Sequence, residues 1–143
     1  DVAIEKNTWF HLAINSCEDM LYSLRRICDP CEEHTDNSFV PLDKDRIKEF
    51  LPLRDTMLYL LKRIGGVISS GDFADYQKLN EQCDAFKHCL SETRDAQMAR
   101  MQAGHGNITV AYVYLNILQE TQEMVSSLKH MLRAVRHFSE SRA

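Results

Sequence analysis

The chain has 143 residues, 44% hydrophobic and 27% charged, the size and make-up of one globular domain that can bury a core. Its net charge of -4 comes from 21 acidic and 17 basic residues mixed along the chain, which argues against a phosphate-backbone binder, so no nucleic-acid partner is expected. Five cysteines, odd in number and irregularly spaced, predict reduced thiols in a cytosolic setting, packed as small core hydrophobes.

A membrane crossing needs roughly 18 consecutive apolar residues. The most apolar run, "ITVAYVYLNIL" from Ile108, is shorter and holds Thr109 and Asn116, so no span is expected in this chain. No signal-like stretch follows Asp1, and the chain is expected to be a fragment of something longer.

Few glycines and prolines, with an excess of Leu, Glu, Gln, Met, Lys, Arg and Ala, predict an all-α chain. Apolar positions alternating three and four residues apart draw helices over about 2–33, 43–69, 72–103 and 108–139, arranged as one antiparallel up-down four-helix bundle spanning 1–143. In the first helix, Phe10, Ala13, Cys17, Met20, Leu24, Ile27 and Cys31 form the expected core stripe, widened by Ile14, Leu21 and Cys28, and Pro30 should kink or end it.

The second helix starts behind Asp43 as N-cap and runs through Leu53, Met57, Leu60, Ile64 and Val67, with Pro52 predicting an irregular first stretch. "SSGD" at Ser69 to Asp72 should close it, with Asp72 capping the third helix. That helix uses Tyr76, Leu79, Cys83, Phe86 and Leu90, then turns polar over "SETRDAQMARMQ", where Met98 and Met101 are the large apolar residues. The polar tail is expected to project or to be covered by a partner, and Met98, Arg100, Met101 and His105 are its candidate contact residues, because methionine surfaces adapt readily. "AGHGN" makes the next break, and Tyr114, Ile117, Met124, Leu128, Met131 and Val135 mark the fourth helix. Shifting the first helix by 97 residues lays Ile14 on Ala111, Leu21 on Leu118 and Cys28 on Val125, the pattern of an internal duplication.

Each cluster that could carry chemistry has a plainer explanation. "CDPCEEH" offers Cys28, Cys31 and His34, but zinc wants four ligands and an active thiol wants a helix start, whereas this pair lies towards a helix end. Cys83, His88 and Cys89 match no metal spacing. His105 between two glycines reads as a turn, and His130 and His137 with Lys129, Arg133, Arg136 and Arg142 read as a basic helix end opposing the dipole. Phosphate-loop, nucleophile-elbow, zincin and EF-hand patterns are absent, so neither an enzyme nor a cofactor is expected.

The block "LSETRDAQMARMQAGHGNITVAYVYLNILQETQEMVSSLKHMLRAV", Leu90 to Val135, resembles the last part of a PhoU-like helical domain, of the type behind the membrane region of bacterial sodium/phosphate cotransporters. "YSLRRICDPCEEH" looks like a second copy, with Arg26, Ile27, Cys28 and Asp29 where that family has R-I-G-D. In that family E-x-x-x-D pairs hold metal clusters. The matching positions here are Arg25 and Asp29, then Gln122 and Ser126, so the resemblance implies a degenerate metal site and no bound metal. It further implies a regulatory or accessory domain of a sodium-dependent phosphate transporter, on the cytoplasmic face of the inner membrane. The implied partners are the transmembrane region or another copy of the domain. A free-standing PhoU-like regulator and a metal- or thiol-active bundle using Cys28 and Cys31 are the alternatives.

Overall fold

The computed structural model describes residues 1–141, with Ser38 described through its backbone alone. Arg142, grouped above with the basic helix end, lies outside the described residues. Four α-helices follow in order: α1 Val2–Ser38, α2 Lys44–Ser70, α3 Tyr76–Gln102 and α4 Ile108–Glu140. They form an all-α up-down four-helix bundle, and no strand occurs among the described residues.

Local chemistry sets most of the boundaries. Asp43 caps α2, its Oδ1 accepting from the Arg46 N–H at 2.9 Å. Gly71 ends α2 with φ 72°, a left-handed conformation that glycine takes at no steric cost, and its N–H reaches Val67 O at 2.9 Å. Asp72 does not cap the third helix as expected. It holds the intervening turn through Ala74 N–H, and α3 begins at Tyr76, where Asp75 pairs with Arg63 across the hairpin at 2.8 Å. Asn107 caps α4 by accepting from Thr109 and Val110 N–H.

Pro30 neither ends nor interrupts α1, which continues to Ser38. Proline removes the N–H that would bond the carbonyl four residues back, at Arg26. The Asn116 side chain on α4 supplies the missing donor to that carbonyl at 2.7 Å. Pro52 is likewise carried inside a continuous α2.

The hydrophobic core belongs to three helices. Leu60 and Ile64 of α2, Leu79 and Leu90 of α3, and Leu118, Leu128 and Leu132 of α4 are almost wholly enclosed in a single cluster. Helix α1 adds only half-buried Met20 and Ile27 to its margin. Among the described side chains of α1, Ser16 and Ser23 are the buried ones, the latter 1% exposed.

That burial corrects the expected α1 stripe. Ala13, Met20, Ile27 and Cys31 do turn inward, but the second inward edge is Trp9, Ser16, Ser23 and Pro30, in place of Phe10, Cys17 and Leu24. Cys31 is half-buried, while Phe10, Cys17 and Leu24 are exposed. The physical reason lies in the α1–α4 seam, where small side chains let the helices approach closely. Ser16 Oγ returns its hydrogen bond to Leu12 O at 2.9 Å, so its hydroxyl is satisfied without claiming space. Arg26 spans the seam to the buried Glu120 at 3.1 Å, and Trp9 stacks on His137 with ring centroids 4.2 Å apart. These pairs fix α1 antiparallel to α4.

Candidate interaction surface

Turning α1 toward its serines leaves an apolar stripe on the outside. Phe10, Ile14, Cys17, Leu21, Leu24 and Cys28 step along the helix by four and three residues, and all are exposed, Leu21 to 61%. A three-four repeat is the pattern by which helices pack against helices. Single exposed apolar residues are ordinary on proteins, but six in helical register along one face are not.

The internal echo tells what such a face normally does. Shifted by 97 residues, Ile14, Cys17, Leu21 and Cys28 fall on Ala111, Tyr114, Leu118 and Val125, all buried against the core, Leu118 to 1% exposure. Ser23 falls on Glu120, and these two meet through Arg26, whose Nη2 donates to Ser23 Oγ and whose Nε donates to Glu120. That one position of the repeat therefore lies in the seam on both helices. Those four outer positions are covered on α4 and open on α1, whereas Phe10 and Leu24 fall on exposed Asn107 and half-buried Thr121.

Between α1 and α2 the bundle keeps a groove of about 210 Å³, almost wholly apolar. Leu24 and Ile27 form one wall, Phe50, Met57 and Leu58 the other, and Leu118 and Met124 the floor. Leu58 is 57% exposed and extends the apolar surface onto α2.

The residues singled out in the third-helix tail separate into two places. Met98 and Met101 line a shallow hollow with Tyr112 and Leu115. Arg100 and His105 line a pocket of about 200 Å³ at the end where α2 and α4 begin, beside Leu42, Asp43, Arg46 and Asn107. Arg100 is held there by Glu49 at 3.1 Å and by the buried Gln97 at 2.6 Å. Tyr114 donates to the same Glu49 at 2.8 Å, and its phenol pKa is pushed well up, first by burial and then by that hydrogen bond. This network seals the end of the core and was not read from the sequence. Glu49 lies off the apolar stripe of α2, and nothing local marks Tyr114 as its partner.

The four positions matched to the metal motif lie on different surfaces. Arg25 and Asp29 pair with each other on the exposed side of α1 at 3.4 Å. Gln122 faces α3, accepting from Arg94, and Ser126 bonds back to Gln122 O. No group of three His, Cys, Asp or Glu side chains is placed to hold a metal among the described residues.

The cysteines depart from the expected buried set. Cys17, Cys28 and Cys89 are exposed, Cys31 is half-buried, and Cys83 alone is in the core, where burial pushes its thiol up to about 11. Burial first, and Cys28 second, also raise the Cys31 pKa, the direction opposite to thiolate activation. His34 Nε2 engages the Val40 backbone, which ties the helix end to the following loop. No helix among the described residues is long and apolar enough to cross a membrane. No protein-family model, curated protein or solved structure matches the chain.

Proposed function

We propose that this chain is a regulatory or accessory helical domain of a sodium-dependent inorganic phosphate transporter, PhoU-like in kind. It works at the cytoplasmic face of the inner membrane through helix-face contacts rather than catalysis. The resemblance of Leu90–Val135 to the end of such domains supplies the transport context. The observation that carries the contact mode is the outward stripe of α1, Phe10 to Cys28, continuous with the α1–α2 groove. A face of that register is built to receive a helix.

Reading the gene upstream of Asp1 tests the transport context. Paired hydrophobic segments, each long enough to span a bilayer, are the expected finding. A start codon directly ahead of Asp1 removes the transporter and leaves a free-standing regulator acting in trans.

A further inference from the structure

We propose that the outward stripe of α1 is covered by the same stripe of a second copy of this chain, the two α1 helices running antiparallel. The inference rests on the helix-face reading above and names the partner of that face.

The stripe is a helix-packing seam by its repeat, and four of its six counterparts on α4 are buried among helices, so its natural cover is another helix with a three-four stripe. A second α1 is one. Charge then selects direction and register. One edge of the stripe carries His11, Glu18, Arg25 and Glu32 at seven-residue intervals, all exposed. The other edge carries Ala13, Met20 and Ile27, which turn toward α4 and hold no charge.

In a parallel pair the charged edge of each helix lies against the uncharged edge of the other, and no ion pair forms. In an antiparallel pair the charged edges meet. With Leu21 opposite the second copy's Leu24, Glu18 faces the second copy's Arg25 and His11 faces its Glu32. The two-fold axis repeats both pairs. Sliding by one heptad, so that Leu21 faces the second copy's Cys17, sets Glu18 against Glu18 and His11 against Arg25. The favoured register is thus specified by sign. It also sets Cys17 opposite the second copy's Cys28, two thiols that are exposed in the single chain.

The test is the mass of the 143-residue chain by sedimentation in reducing buffer. A dimer is expected, and Glu18→Arg should weaken it at least about tenfold, while Glu18→Arg combined with Arg25→Glu restores it. Leu21→Glu should also weaken it, with helical circular dichroism unchanged because the residue is on the surface. A short bis-maleimide should link Cys17 of one copy to Cys28 of the other. The proposal is overturned by a chain that stays monomeric at about 100 μM, the result expected if a lipid or another protein covers the face. It is overturned equally by a dimer indifferent to Glu18→Arg, or by Cys17–Cys17 links. A monomer would leave the transport reading standing, since that is decided by the upstream gene.

Discussion

Asn116 on α4 donates its side-chain amide to the main-chain carbonyl of Arg26 on α1, at 2.7 Å. That carbonyl is the one Pro30 leaves without an intrahelical donor. One side chain from the neighbouring helix therefore lets α1 pass its proline and run on to Ser38. The Arg26 side chain reaches the same helix through Glu120, so the residue is fixed to α4 by both main chain and side chain.

Asn116→Ala should cost about 1 kcal/mol of stability, the worth of one hydrogen bond at a partly solvated site. In a Pro30→Ala background the loss should shrink, because the restored N–H satisfies the Arg26 carbonyl from within the helix. A double-mutant cycle by urea unfolding measures the coupling. Equal losses in both backgrounds would refute the assigned role of Asn116.

Leu118 and Leu21 occupy equivalent positions of the repeat, yet one is enclosed and the other open. Leu118→Ala should cost about 2–5 kcal/mol through the lost transfer energy and the cavity left behind. Leu21→Ala should fall within about 0.5 kcal/mol. Both are measured by denaturant unfolding at concentrations low enough that association does not contribute. Similar losses at the two sites would mean that α1 is packed some other way.

Much of the fold was legible, because periodicity names helices and short polar breaks name their ends. The stripes of α2, α3 and α4 are buried as their spacing predicts, Leu53 to Val67 and Leu79 to Leu90 among them. The face of α1 was not legible. Hydrophobicity ranks Cys17 and Leu24 above Ser16 and Ser23, but close approach of two backbones favours the small residues, and Trp9 is drawn inward by its stack on His137. Pro30 misleads for a related reason, since the donor that rescues it lies 86 positions on (30 to 116). The polar end network of Glu49, Arg100, Gln97 and Tyr114 joins three helices, and no local pattern announces it.

Cys83 gives the chain an alkaline slope. Its thiol is enclosed, and burial pushes it up to about 11 in the folded state, from about 9 in the unfolded chain. As pH rises from about 9 towards 11, the unfolded thiol loses its proton while the folded one keeps it, so stability falls across that window. The loss should reach about 2–3 kcal/mol. Cys83→Ala should reduce the slope between about pH 9 and about pH 10, before the raised Tyr114 phenol adds its own fall, in unfolding measured as a function of pH. An unchanged slope would place its origin elsewhere.

Trp9 is the chain's single tryptophan, and it lies stacked on His137 with planes 11° apart. His137→Ala removes the ring that covers one face of the indole, so Trp9 emission should shift to the red as water reaches that face. An emission spectrum identical in the variant would mean that the stack does not persist in solution.

Residue-level hydroxyl-radical footprinting across a dilution series tests the outward face of α1 most directly. Phe10, Leu21 and Leu24 should be modified readily in dilute solution and progressively less as concentration rises, while Leu118 and Leu128 stay protected throughout. Protection of Leu21 and Leu24 equal to that of Leu118 at every dilution would show the face already covered within one chain, and would contradict the account.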